Sequence, residues 1–439
     1  MFEFALTKNK YYTLYEKIRG EILRGKVKAG EKLPSKRALA ESLGVSVVTV
    51  QLAYEQLAAE GYIYGKERSG YYAESVTVQT AARSVPRRPD PPSPVKYKVD
   101  LVKGSVPARL FPFSTWARLM RFVLADCGEH LLERVPCDGD SGLKCALADY
   151  LYRARGMDVD PRYIIVGAGS EYLYGVIVQL LGRDGLFAVE NPGYGKISST
   201  YALNGAKWVA VNVVEKGMDI DALAKSGATV AHVSPSHQFP TGAVMPVTVR
   251  LKLIEWAKAA GGFVVEDDYD SEFRLVGKPL QSTYGLCPDR VIYMNTFSKS
   301  LAPSMRLGYM VLPPALYEKY LAAFSGVANT VPLFEQKALA AMLDGGYFER
   351  HVSRMRNYYK GVRKKLLERL DGVCEVSDTG SGLHVTAKFP DAESDEEIKR
   401  RAAEAGVNIK CLSDYLLAPM AGVEKRAVIN YSGLDELTL

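Results

Sequence analysis

The segment Tyr293-Met-Asn-Thr-Phe-Ser-Lys299-Ser-Leu-Ala-Pro-Ser-Met-Arg306-Leu-Gly-Tyr309 sets a lysine in a small, hydroxyl-rich turn, with an arginine seven residues on. An amine on the tight turn after an apolar strand is desolvated, which favours its neutral, nucleophilic form near neutral pH. Thr296, Ser298 and Arg306 supply the hydroxyl and guanidinium groups that suit a dianionic phosphate. The pattern predicts a lysine that attacks an aldehyde beside a phosphate clamp. Taken alone it also fits a solvated Ser/Lys loop.

Upstream, Gly262-Phe-Val-Val-Glu-Asp267-Asp268-Tyr269-Asp270 reads as a buried parallel strand that runs into acids and a tyrosine. Carboxylates at the C-terminal end of such a strand stand where an open α/β sheet places its ligands. Pyridoxal phosphate needs an anion at its pyridinium nitrogen and a donor at its phenolic oxygen. Asp267 and Tyr269 offer those two groups, although acids that cap a following helix fit the same stretch.

Three further segments arrive in a meaningful order. Ile164-Ile-Val-Gly-Ala168-Gly169-Ser170 reads as a strand, a small-residue turn and a helix N-terminus, a place where backbone N–H groups cradle phosphate. Glu190-Asn-Pro-Gly-Tyr194 and Ser234-Pro-Ser-His237-Gln238-Phe239-Pro240-Thr-Gly242 follow it. Together, residues 100–435 resemble the fold-type I, aspartate-aminotransferase-like family of pyridoxal-phosphate proteins. The resemblance implies an α/β fold with a mixed, mostly parallel sheet and large and small subdomains. It implies pyridoxal 5'-phosphate held as a Schiff base on Lys299, Tyr194 stacked on its ring, and a phosphate cup at Ala168, Gly169 and Ser170. Phe239 stands before the proline of the turn that contacts the phenolic oxygen, so His237 or Gln238 is expected to supply that polar contact.

The amino-terminal end has a different character. Tyr15 to Arg24 has helical apolar spacing, and Leu33-Pro34-Ser35-Lys36-Arg37-Ala-Leu-Ala-Glu-Ser-Leu-Gly44 reads as a Ser-capped helix closed by glycine. A third helix starts at the cap Ser46 and carries Thr49 and Gln51 on its first turns, the part of a recognition helix that reaches base edges. Gly61 to Ala73 alternates as two strands around Lys66 and Arg68, a wing suited to phosphate contact. Residues 10–74 resemble the winged-helix domain of the GntR family. A GntR-like head on an aminotransferase-like body resembles the MocR/GabR group of bacterial transcription regulators. That resemblance implies operator DNA as a partner and a homodimer with heads packed on the partner's body. The effector it implies is a small amine, amino acid or B6 vitamer.

Charge agrees with this division. Residues 1–100 hold 17 Lys/Arg and 11 Asp/Glu, while the rest hold 39 of each, so the whole excess of +6 lies at the end that would meet DNA. Residues 1–75 are assigned to the head, 76–100 to a proline-rich linker around Ser84 to Pro94, and 101–439 to the body. Arg87 and Arg88 in that linker fit either DNA-backbone contact or plain solvation. The six cysteines and five histidines show no metal-ligand spacing, and no metal is expected. No signal peptide or apolar run near 20 residues is evident, which points to a reducing cytoplasm and no membrane partner.

Departures from the family limit what carries over. Aminotransferases of this family place a carboxylate-gripping arginine in a run like Arg-Ile-Ser-Tyr, whereas here the run is Val428-Ile-Asn-Tyr431, with Arg426 the nearest base. The GABA-sensing member has an arginine two residues after the stacking tyrosine, where this chain has Lys196. Lys196, Arg426 and His237 are the candidate effector contacts. Three readings stay open: a cofactor-dependent sensor, an active aminotransferase with a DNA-binding head, and a repressor whose body serves only for dimerisation.

Overall fold

The computed structural model describes residues 10–76, 97–104, 106–277 and 280–434, in two compact units, Met1–Pro94 and Val95–Leu439. The proline-rich stretch 84–94, with Arg87 and Arg88, lies outside the described residues.

The head is built from α1 (Lys10–Leu23), α2 (Lys36–Leu43), α3 (Val47–Ala59), β1 (Ile63–Lys66) and β2 (Gly70–Ala73). On α1, Leu14, Tyr15, Ile18 and Ile22 form one buried stripe; on α3, Val50, Ala53, Tyr54 and Leu57 form the stripe that faces it. The Oγ of Ser35 accepts from the Ala38 N–H and that of Ser46 from the Thr49 N–H, each at 3.2 Å. Each cap is worth about 1 kcal/mol to its helix. Gly44 ends α2 at φ 62°, where a Cβ would be strained. β1 and β2 pair antiparallel from Ile63↔Ala73 to Lys66↔Gly70, and Arg68 takes a left-handed φ of 58° at the tip.

The body begins with β3 (Val99–Asp100), which pairs in parallel with a strand at Val407–Asn408. Val99 and Asp100 therefore belong to the body rather than to the linker that the composition suggests. The elements next in sequence are α4 (Phe113–Cys127), α5 (Ser141–Arg155), β4 (Ile164–Gly167), α6 (Ser170–Leu181), β5 (Leu186–Asn191), α7 (Gly195–Leu203), β6 (Lys207–Val214), β7 (Gly217–Met218), α8 (Ile220–Lys225), β8 (Val230–Val233), α9 (Val247–Ala259), β9 (Phe263–Asp267), β10 (Val291–Thr296) and β11 (Gly308–Val311). Their strands form one eight-stranded sheet in the order β4-β11-β10-β9-β8-β5-β6-β7. Only β11 and the edge strand β7 run against the rest.

Strand residues alternate between two cores. Val166, Ala188, Val264 and Tyr293 pack on one face of the sheet, and Ile165, Phe187, Val265 and Ile292 on the other. Burial on both faces explains why these strands read as unbroken apolar runs. A second, antiparallel sheet of β12 (Glu375–Ser377), β13 (His384–Lys388), β15 (Lys410–Cys411) and β16 (Arg426–Asn430) packs with the long helix Tyr347–Leu370 around Tyr359, Val385 and Ile429; β14 is the Val407–Asn408 partner of β3. The α/β class, with its mixed and mainly parallel sheet, is as the sequence implies.

Candidate functional site

The carboxyl ends of β4, β5, β8, β9 and β10 open onto one cavity of about 360 Å³. This edge is where α/β sheets place ligands, because the chain leaves each strand there in a loop free to carry side chains.

Lys299 follows β10 and lines this cavity with Thr296 and Ser298. Its Nζ donates to the carbonyl of Gly104 at 3.1 Å. Burial lowers the lysine's pKa, and the nearby Asp270 opposes that fall without cancelling it. A Cβ on Gly104 would lie 2.0 Å from Nζ, so the segment over the lysine must be glycine for the amine to lie as it does.

The adjacent acids separate by environment. Asp267, the last residue of β9, lines the cavity; its Oδ2 accepts from the Tyr174 hydroxyl at 2.6 Å and lies 3.4 Å from His232 Nε2. Its Oδ1 is buried with no hydrogen-bond partner among the described residues. A buried carboxylate oxygen without a partner is costly, so it marks where a ligand donor belongs. Asp268 is held in a buried ion pair with Arg155 at 2.7 Å and accepts from Tyr293 at 2.8 Å. Asp270 contacts His237 Nδ1 at 3.0 Å. Tyr269 lines the cavity, and its hydroxyl lies 3.3 Å from the same His237 nitrogen. Burial, with Asp270 next in effect, raises its phenol well above the usual range, so it stays a donor.

The turn Ala168-Gly169 and Ser170, the first residue of α6, form a small cup. Gly169 has φ 83°, and a Cβ there would lie 2.8 Å from Arg306 Nη2. Arg306 donates to the Ala168 carbonyl at 3.1 Å and pairs with Glu171 at 3.0 Å. Glu171 also pairs with Lys196 at 3.0 Å. Ser170, Tyr194, Lys196, Thr296, Ser298 and Arg306 all line the cavity. Ala168 and Gly169 do not: the Ala168 N–H donates to Thr330 Oγ1 at 3.1 Å and the Gly169 N–H to the Gly167 carbonyl at 2.8 Å, so both donors of the tight turn are already satisfied within the protein.

Three further sequence candidates fall elsewhere. The Gln238 amide is consumed by the carbonyls of Pro192 and Phe239 and by Thr241, so it braces two loops and does not line the cavity. His237 lies behind Tyr269 against Asp270 rather than in the cavity. Arg426 begins β16, opposite Lys388, whereas the cavity is reached by Asn430 at the other end of that strand. Four residues of strand separate the two by roughly 13 Å.

The cavity also uses residues that the sequence does not advertise. Tyr174 and His232 read as core residues, and Gly104 carries no signal at all. Glu190 reads as part of a loop motif, yet burial pushes its carboxyl up to about 8. His237, Asp270 and His384 bring ligand atoms within 4.8 Å of one another, a grouping that spacing along the chain does not reveal. Arg155 and Arg274 line a small cleft with His237 and Asp270, a cationic setting that disfavours a metal ion there.

On the head, Lys36, Arg37, Ser46, Thr49, Gln51, Lys66 and Arg68 stand as candidates for DNA. Lys66 and Arg68 are exposed at the wing, with Lys66 Nζ 4.8 Å from the Tyr72 ring. Thr49 Oγ1 is 2.8 Å from Ser46 Oγ, and Gln51 Nε2 donates to Glu55 at 2.7 Å, so both polar groups have partners on α3 or at its cap. Val48 on the same first turn is 64% exposed. No helix among the described residues is long and apolar enough to cross a membrane.

Residues 10–72 match the family of bacterial regulatory proteins of the gntR family, and residues 115–425 match aminotransferase class I and II. The chain is 35% identical to the HTH-type transcriptional regulator YdeL of Bacillus subtilis, with 91% of this chain and 88% of that protein covered. It is 33% identical to the probable rhizopine catabolism regulatory protein MocR of Rhizobium meliloti, over 97% and 90%. It is 31% identical to the pyridoxine biosynthesis transcriptional regulator PdxR of Corynebacterium glutamicum, over 97% and 92%. Among solved structures, the α-aminoadipate aminotransferase LysN of Thermus thermophilus, complexed with N-(5'-phosphopyridoxyl)-L-leucine, superposes with a TM-score of 0.67 at 25% identity, over 77% and 88%.

Proposed function

The chain belongs to the MocR-type transcription regulators, which join a GntR-family DNA-binding head to an aminotransferase class I and II body, and from that premise we propose that its body is a pyridoxal 5'-phosphate sensor of a small amine or amino acid. The observation that carries the proposal is the pairing, in one cavity, of a lysine amine depressed by burial with a buried carboxylate oxygen that lacks a partner. The first suits an aldehyde and the second a pyridinium N–H.

Lys299 would hold the cofactor covalently, Asp267 would keep the proton on the ring nitrogen, and Tyr269 would donate to the phenolic oxygen. Arg306, Ser170, Thr296 and Ser298 would take the phosphate, and Tyr194 would cover the ring. When bound, the group supplies a carbonyl for a ligand amine and an electron sink for its α-carbon. The chain's own part is to orient that ring, hold the proton at the Asp267 side, and keep Lys299 as the group that a ligand amine must replace. Binding of such a ligand regulates only if the two operator-binding states hold it with different affinity. We propose a homodimer as the functional unit.

Sensing is preferred to turnover because, among the described residues, the cavity's lysine and arginine side chains are Lys196, Lys299 and Arg306, with no second arginine to grip a substrate carboxylate. A panel of amino acids and simple amines, scanned for changes in the bound cofactor's absorbance and then for changes in operator affinity, tests this reading. A compound that alters both supports it. If steady-state transfer from an amino donor to a keto acceptor runs at enzyme-like rates while operator affinity never moves, the body is an aminotransferase instead.

A further inference from the structure

Glu171 occupies an unexpected place. It lies in the first turn of α6, beside the cup expected to receive a phosphate, and it is a carboxylate. Its two oxygens are divided: Oε2 lies 3.0 Å from Arg306 Nη2 and Oε1 lies 3.0 Å from Lys196 Nζ. The same Arg306 nitrogen reaches the Ala168 carbonyl, which draws the guanidinium down against Gly169, in the mouth of the cup. Both cations that an anionic ligand would use are thereby tied to one internal anion. All three side chains remain water-accessible, so the contacts are exchangeable rather than locked.

We propose that Glu171 is a built-in anion surrogate, which holds Arg306 over the cup until a phosphate monoester displaces it. A dianion placed beside Arg306 repels the Glu171 carboxylate and takes over its guanidinium, while Glu171 keeps Lys196 as its remaining cation. The two cations differ in what they suit. Arg306 offers a planar fork for phosphate, while Lys196 offers a flexible point charge. The inference rests on the proposed cofactor role of this cavity.

The test compares the full-length wild type with Glu171→Gln and Glu171→Asp, using pyridoxal phosphate in equilibrium dialysis and inorganic phosphate as a competitor. Glu171→Gln is expected to bind both about tenfold more tightly, while Glu171→Asp, which keeps the charge, stays near wild type. If the wild type binds pyridoxal phosphate and Glu171→Gln matches it within twofold, the surrogate role is wrong while the sensor reading stands. If Glu171→Asp tightens binding as much as Glu171→Gln, the effect is packing and the surrogate role is equally wrong. Binding of pyridoxal phosphate by none of the three proteins would overturn the sensor reading itself.

Discussion

Tyr174 donates its hydroxyl proton to Oδ2 of Asp267 across 2.6 Å, which leaves Oδ1 as the one oxygen of that carboxylate still without a partner among the described residues. The helix α6 thus orients an acid that a strand delivers. A hydrogen bond to a charged acceptor is worth about 1.5–3 kcal/mol. Tyr174→Phe should therefore weaken pyridoxal phosphate binding by tenfold or more, and Asp267→Ala by more again, as measured by equilibrium dialysis. Unchanged affinity in Asp267→Ala would show that another group holds the ring nitrogen.

Lys299 should be the site of covalent attachment. Borohydride treatment of the protein with pyridoxal phosphate is expected to fix the cofactor on the peptide that contains Lys299, and Lys299→Ala to remove that adduct. Because burial lowers this amine's pKa, the rate of attachment should level off at a pH below the ordinary lysine value of 10.5. A rate that keeps rising through 10.5 would mean that the reacting amine is an exposed one.

Glu190 should make the body's stability pH-dependent. Its folded pKa is raised from 4.5 to about 8 by burial, so the folded state holds a proton that the unfolded state has lost across that window. The associated stability is fully present below 4.5 and is lost as pH rises through 8, on the order of 1.4 kcal/mol for each pH unit crossed between those two values. Glu190→Gln removes this dependence. The difference in Tm between Glu190→Gln and wild type should grow from pH 5 to pH 9, and a constant difference would contradict the assignment.

The buried pair Arg155 and Asp268 should be structural. Arg155→Met leaves Asp268 charged and without its cation in the core, which costs about 3–5 kcal/mol. Chemical denaturation of the body should show a loss of this size. The isolated head, if expressed alone, provides the control for DNA binding.

On the head, Lys66→Ala should weaken binding to all DNA sequences alike and lower the slope of log affinity against log salt by about 1. Gln51→Ala should instead shift preference at a contacted base pair by about 1–3 kcal/mol. Selection from a randomised duplex pool, repeated at several salt concentrations, separates the two behaviours. Equal effects of both changes on every sequence would remove Gln51 from the base-reading set.

Much of the architecture was legible because it is written in local signals. The caps Ser35 and Ser46, the closing Gly44, and the apolar strands buried on both faces each state their own structure within a few residues. The cavity was legible where one strand end and its loop supply the groups, as at Asp267 and at Thr296 to Lys299. It was not legible where distant segments meet. Tyr174 reaches Asp267 from a helix whose sequence reads as core, and Gly104 meets Lys299 from a segment far earlier in the chain. Gln238 was misplaced because a side-chain amide can satisfy neighbouring carbonyls as readily as a ligand, and the sequence does not tell which. Arg426 shares a strand with Asn430, but being on the right strand does not put a residue at the right depth.

β11 is the one strand inside the large sheet that runs backwards, and its first residue, Gly308, sits in register with both Thr296 and Gly167. The chain therefore leaves β10, passes through Lys299 and Arg306, and re-enters the sheet without departing from the ligand edge. Here the connection between two strands and the machinery of the pocket are the same piece of chain. Pro303, Ser304 and Arg306 reach solvent and leave room for added residues, whereas Phe297, Ser300 and Leu301 are buried on either side of the lysine, so an insertion there would move the amine itself. Length is therefore constrained in the first half of this loop, where the lysine sits, and not in the second.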